Sequence, residues 1–225
     1  MNTNKYKKIS NLLKKHNFSD FDLISNYGLT LGDKNIYKIF TLFKIIEKIS
    51  KVRGDIIEFG VWKGNNSFMI KKILNFLKIK KKLYLFDHFK GLRHYTKNKD
   101  PKVSEKYFKK YSSNKKIILD FKKFFKFKNF EVVDQNACKI NTSFVKKKLS
   151  FVYMDMDLYS PTITALNAIE HFISKGGCIL FDQGNKKLWE GEKKAIKEFL
   201  KNNKKKYKFF IISKKNQPDV LLIKK

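Results

Sequence analysis

Carboxylates recur in this chain at one kind of position. Glu58 stands at the end of the apolar run "DIIEF", Asp87 ends "KLYLFD", and Asp134 ends "FEVVD". Asp155 and Asp157 end "LSFVYMDMD", and Asp182 ends "GGCILFD". In an open α/β sheet the carboxyl ends of the strands face the ligand crevice. A carboxylate turned into the core instead needs a partner to offset its desolvation. Any one of these acids has a plain reading as a turn former or helix cap. Their repetition at successive strand ends points to ligand chemistry.

The first of these ends is followed by "IIEFGVWKGNNS", whose glycines are spaced Gly60-x-x-x-Gly64. The dinucleotide pattern GxGxxG and the Walker lysine pattern are both absent. Gly60 and Gly64 permit backbone close to a ligand, and Asn66 or Ser67 can cap the helix that follows. Glu58, two residues before Gly60, repels phosphate and suits a cationic or hydroxyl-rich ligand. Asp87 falls where a ribose diol is commonly held. S-adenosylmethionine (SAM) meets both conditions, with a sulfonium, an ammonium, a nucleoside and no phosphate.

The elements that position these residues alternate. Apolar residues at helical spacing (Ile36, Ile39, Phe40, Phe43, Ile46 and Ile49) predict a helix over about 35–50, with Asp33 as its cap. Strands are expected at 56–60, 82–87, 130–134, 149–157 and 176–182, with helices at 66–78, 114–127, 160–173 and 191–203. The closing runs "YKFFIIS" and "DVLLIK" leave no room for a helix between them and predict an antiparallel pair. Alternation of this kind gives a mostly parallel sheet covered on both faces. The reading is one α/β domain over 35–225, preceded by a helical or loop extension over 1–34.

The chain has 225 residues with 42% hydrophobic content, enough for a full core. No apolar stretch approaches a membrane span, the start is polar, and Cys138 and Cys178 fit no disulfide or metal spacing. A reducing, cytoplasmic setting and no membrane partner are the expectation. The formal charge of +31 suggests nucleic acid. Against that, Arg53 and Arg93 are the only arginines, and the lysines are spread along the whole chain. Specific phosphate and base readers favour the arginine fork. The charge therefore reads as a solvated lysine surface.

Four segments together resemble the TylF/MycF-type, macrocin-O-methyltransferase-like enzymes, which are class I SAM-dependent methyltransferases of sugar hydroxyls. They are "RGDIIEFGVWKGNNS", "LYLFDHFKGL", "MDMDLYSPTITALNAIEHFISKGGCILFDQGN" and "WEGEKKAIKEF". The likeness runs from about residue 35 to the end, and "DxDLYxxT" carries it most specifically. It implies a doubly wound, Rossmann-like sheet of seven strands with an antiparallel last strand. It also implies an O-methyltransferase acting on a sugar or glycoside hydroxyl.

By that resemblance, Glu58, Gly60, Val61, Gly64 and Ser67 belong to the seat of the methionine portion of SAM. Asp87, with His88 beside it, takes the ribose, and Asp134, Gln135 and Asn136 flank the adenine. A divalent ion, usually magnesium, is implied on Asp155 or Asp157, then on Asp182 with Gln183. Asp155 is preferred because it directly follows the apolar run. Oxygen ligands of this kind suit magnesium, calcium or manganese over zinc. The chain departs from the family here, since Gln183 stands where the pair is usually Asp-Asp or Asp-Asn. Asp155 and Asp157 are the expected catalytic carboxylates.

His171 reads as structural, whereas His88 and His94 are candidates for substrate contact. Tyr159 and Trp189 have both pocket-lining and packing readings. The polar insert at 93–112 reads as a lid over the ligands. Two other classes stay open at this point: a nucleic-acid methyltransferase, and a non-catalytic relative suggested by Gln183. The aromatic-rich N-terminal helices leave a homo-oligomer possible.

Overall fold

The computed structural model describes residues 3–25, 28, 31–100, 111–185 and 190–225. Helices α1 (Thr3–Lys15), α2 (Asp20–Ser25) and α3 (Asp33–Lys48) precede the sheet. The alternating part then runs β1 (Asp55–Phe59), α4 (Asn65–Phe76), β2 (Leu83–Asp87), α5 (Lys115–Phe124), β3 (Phe130–Asp134) and β4 (Leu149–Met154). It continues through α6 (Tyr159–Ile169), β5 (Ile173–Phe181), α7 (Glu190–Asn203), β6 (Tyr207–Ile211) and β7 (Val220–Lys224).

The strands form one seven-stranded sheet in the order β3-β2-β1-β4-β5-β7-β6. Strands β1 to β5 pair in parallel, and β7 lies antiparallel between β5 and β6. The order reverses between β1 and β4, so the crevice opens where their carboxyl ends diverge. Strands β1 and β4 are buried throughout, as befits strands covered on both faces. One core cluster joins the sheet to α3, α4 and α5 through Leu42, Ile46, Ile70 and Ile118. The other joins its opposite face to α6 and α7 through Ala165, Leu166, Ile196 and Phe199.

Helix α3 turns inward a face that only partly overlaps the one expected, sharing Ile46 and Ile49 with it. Leu42, Ile45, Ile46 and Ile49 are buried, whereas Ile36 is 40% exposed and Phe40 61% exposed. The apolar residues of this helix offer two overlapping stripes, and packing selects the one running through Leu42. That stripe extends one turn back to Lys38. The Tyr37 hydroxyl donates to the Pro218 carbonyl at 3.2 Å and so fixes the start of α3 against the β6–β7 connection. Asp33 lies in the first turn of α3; Gly32 is the N-cap, with no side-chain cap bond.

Candidate active site

The crevice above β1 and β4 is a cleft of about 280 Å³, near the lower end of small-molecule sites. One wall comes from the β1–α4 turn and the end of β2. Gly60, Val61 and Trp62 line it, with Asn65, Asn66 and Asp87. Gly60 has φ +81°, and a Cβ there would lie 1.9 Å from the Asp155 carbonyl oxygen. Gly64 has φ +85° and is the N-cap of α4; a Cβ there would meet the Ile118 side chain at 2.5 Å. Both glycines are thus demanded by the protein's own close packing, whatever room they also leave beside the cleft.

Asp87 holds this wall together. Its Oδ2 accepts the backbone N–H groups of Val61 and Trp62, each at 2.8 Å, and its Oδ1 accepts that of Phe89 at 2.7 Å. Ser67 does not cap α4, because its hydroxyl donates to Glu58 Oε2. Asn66 does not cap it either. Glu58 is fully buried beneath the turn and does not line the cleft. Burial pushes its carboxyl up to about 8, with the Ser67 bond and the Lys38 ammonium pulling the other way. Its Oε1 has no partner, nor has Asn66 Oδ1.

The far wall of the cleft carries Gln135 and Asn136 after β3, with His88 and His94 opposite them. Gln135 Oε1 accepts from the Asn141 N–H, and Asn136 Nδ2 lies 2.7 Å from His94 Nε2. Asp134 pairs with Lys115 at 2.8 Å and faces an adjoining outer cleft. His171 lies tilted against Phe172 just before β5 begins, at the opposite end of that strand from Asp182. The Tyr159 hydroxyl donates to Glu198 at 2.6 Å and takes no part in the cleft. Trp189 lies outside the described residues.

The floor is acidic. Strand β4 stops at Met154, and Asp157 takes a left-handed φ of +61°, so Asp155 and Asp157 do not project as strand neighbours. Burial, then the charges of Asp182 and Asp157, hold the Asp155 carboxyl well above the usual carboxylate range. Burial and Asp182 push Asp157 up to about 7. Asp182 is 4% exposed, and its Oδ1 takes both the Tyr153 hydroxyl and the Lys38 ammonium, the latter at 2.8 Å. Burial opposes the charge on Lys38, but Asp182, Asp155 and Glu58 together raise its pKa. Glu192, at the start of α7, is fully buried with neither oxygen partnered, and burial and the neighbouring acids raise it well above its ordinary value.

These residues as arranged do not fit the divalent ion expected on Asp155, Asp182 and Gln183. Lys38 and Tyr153 occupy Asp182 Oδ1. Gln183 presents its amide N–H to Asp157 Oδ1 at 2.7 Å, so its oxygen is not the atom turned toward the acids. Among the described residues, no three acidic, histidine or cysteine side chains converge on one point suited to a metal. The magnesium expectation is therefore corrected.

The insert expected to act as a lid is tied at both stems; residues 101–110 lie outside the described residues. On one side Asp100 is 5% exposed and accepts the Thr96 and Tyr159 N–H groups, each at 2.7 Å. It thereby caps α6 from a distance, since Leu158 at the N-cap has no side-chain acceptor. On the other side Ser112 pairs with Lys90, the Ser113 hydroxyl donates to the Trp62 carbonyl, and Tyr111 packs edge-on against Trp62.

Sequence reasoning did not single out Lys38 and Trp62, which line the cleft, nor the buried acids Asp100 and Glu192. For Lys38 a signal existed: a lysine on the stripe that continues through Leu42, Ile45 and Ile49.

The model of the macrocin-O-methyltransferase (TylF) family matches residues 29–215. No curated protein sequence matches the chain significantly. The fold resembles that of the calicheamicin methyltransferase CalS11 at 18% identity, with a TM-score of 0.80 over 99% of this chain and 91% of that one. A second, apo structure of CalS11, described as a TDP-rhamnose 3'-O-methyltransferase, gives 0.72 at 18% identity over 99% and 93%. The O-methyltransferase NovP gives 0.69 at 17% identity over 84% and 79%.

Proposed function

Because the chain belongs to the macrocin-O-methyltransferase family of SAM-dependent methyltransferases, we propose that it methylates a hydroxyl of a sugar or sugar-bearing small molecule. The observation that carries this reading is one cleft bounded by the Gly60–Trp62 turn and Asp87 on one side and by Asp155 and Asp157 on the floor. That pairing sets a nucleoside holder beside a carboxylate pair. CalS11, similar in fold over nearly the whole chain, is a methyltransferase of TDP-rhamnose, which supports a sugar acceptor.

In this reading the methionine portion of SAM lies against Gly60 and Val61, where the partnerless Asn66 Oδ1 offers its ammonium an acceptor. Asp87 keeps enough lone-pair capacity to take a ribose hydroxyl as well as its backbone donors. His88, Gln135 and Asn136 flank the adenine. The acceptor hydroxyl enters over Asp155 and Asp157. Its proton passes to Asp157, whose carboxyl lies near neutrality, the range in which a general base works best. The oxygen lone pair forms the new O–CH3 bond as the C–S bond breaks. The bonding pair goes to sulfur and leaves S-adenosylhomocysteine. Alignment of the two reactants supplies much of the rate.

The test is transfer of a labelled methyl group from SAM to a panel of nucleoside-diphosphate sugars and glycosides. Label is expected in an alkali-stable ether on the sugar. Salt-sensitive labelling of RNA in place of sugars would overturn the acceptor class, and calorimetry showing no binding of S-adenosylhomocysteine would overturn the activity.

A further inference from the structure

We infer that Lys38 is the resident cation of this site. Its ammonium occupies the acidic centre at the β4 and β5 ends and directly steadies the acceptor oxygen. The inference rests on the methyl-transfer reading for the word acceptor; the cation assignment itself does not need turnover.

Three independent features place the ammonium there. The first is the helix. Lys38 continues the buried stripe of α3, one turn before Leu42, and the neighbouring Tyr37 fastens that turn to Pro218. From there its side chain lines the cleft. The second is the contact. Nζ lies 2.8 Å from Asp182 Oδ1, with the side chain only 18% exposed, and the Tyr153 hydroxyl secures the same oxygen from the core side. The third is the company. Asp155 and Glu58 both act on the ammonium electrostatically. Among the described residues, no other lysine is recorded in an ion pair with Asp155, Asp157 or Asp182.

A divalent ion needs about six oxygen ligands free of competing cations. An ammonium on Asp182 removes one ligand and repels the ion by Coulomb's law. Gln183 is consistent with this, because it brings N–H groups to Asp157 where an acidic residue would bring another ligand. An ammonium has three N–H donors, of which Asp182 takes one. Another can reach an acceptor hydroxyl in the cleft and raise its acidity, with the carboxylate pair alongside to receive the proton.

Manganese binding, read by the paramagnetic resonance of free Mn2+ in the presence of S-adenosylhomocysteine, tests the assignment. Wild-type protein is expected to leave the free-ion signal unchanged. Lys38→Met is expected to bind Mn2+ at least about tenfold more tightly than wild type, because the competing charge is gone. Wild-type methyl transfer is expected to be indifferent to EDTA. Turnover should fall by about 100-fold in Lys38→Met and recover in part in Lys38→Arg, while S-adenosylhomocysteine affinity stays within about twofold in both.

Tight Mn2+ binding by the wild type, or loss of its activity in EDTA, overturns the proposal. So does a Lys38→Met protein that loses S-adenosylhomocysteine affinity and gains no Mn2+, since Lys38 would then be holding the donor's carboxylate. If Lys38→Met does not fold, the wild-type Mn2+ and EDTA results still decide. Failure of the methyltransferase reading would register separately, as absent S-adenosylhomocysteine binding in the wild type.

Discussion

The two walls of the cleft are built from different materials. At the β1 and β2 ends the chain's own backbone makes the surface, and the one cleft-lining carboxylate, Asp87, accepts three backbone N–H groups. At the β4 and β5 ends side chains make the surface. Asp155, Asp157 and Asp182 crowd together there, with Lys38 as the cation bound to Asp182. Burial and crowding raise the carboxyls of Asp155 and Asp157 above the ordinary carboxylate range, Asp157 to about 7. The first wall is suited to holding a ligand in place and the second to moving a proton.

The largest effect that can break this contrast is expected from Gly60→Ala. The new Cβ would lie 1.9 Å from the Asp155 carbonyl oxygen at a φ of +81°, where an L side chain is already strained. Since the obstacle is backbone, both walls must shift. A loss above about 3 kcal/mol in urea unfolding is expected, together with loss of S-adenosylhomocysteine binding. A variant that folds normally would show that the walls are not locked together at this point.

Next comes Asp157→Asn. Wild-type turnover should rise with pH through an apparent midpoint of about 7, set by deprotonation of Asp157. The amide variant should lose about 100-fold in kcat and flatten that profile, with donor affinity unchanged. A preserved midpoint would assign the proton to another group.

Glu58→Gln probes the buried acid beneath the donor wall. The folded-state value of about 8 lies above the ordinary glutamate value of 4.5. The fold therefore keeps a proton that the unfolded chain releases. That contribution is complete below pH 4.5 and is lost as the pH rises through about 8. The glutamine variant, which has no proton to lose, should be the more stable protein at pH 8, by about 4 kcal/mol, and should come close to the wild type near pH 5. Melting curves at the two pH values decide, and a pH-independent difference would sink the idea.

Asp87→Asn has the smallest effect. It keeps the shape but weakens charge-assisted bonds to the turn, so a loss of about tenfold in S-adenosylhomocysteine affinity is expected, with the pH profile of turnover unmoved.

The same contrast explains what could be seen in the sequence. The sheet, its antiparallel ending and the acids at strand ends follow from alternating apolar runs, because periodicity is a local property. The wall at the β1 and β2 ends is partly legible too, since Gly60 and Asp87 belong to two short segments. Even there the reason for the glycines was hidden, because it lies in the backbone at Asp155. The acidic floor is another matter. Lys38 reaches Asp182 only after packing chooses between two stripes of α3. Glu192 reads as an ordinary first-turn helix acid until the sheet covers it. Gln183 looks like a weakened metal ligand until Asp157 claims its amide. Each depends on contacts between distant segments, for which a single sequence offers no period to count.

The insert's stems bear on how such a protein can diversify. Asp100 anchors one end to the start of α6, and Tyr111 to Ser113 clasp the other to Trp62 and Lys90. Change at Asp100 or at Tyr111–Ser113 is therefore constrained, because each of these stems also ties down an element that bears the cleft.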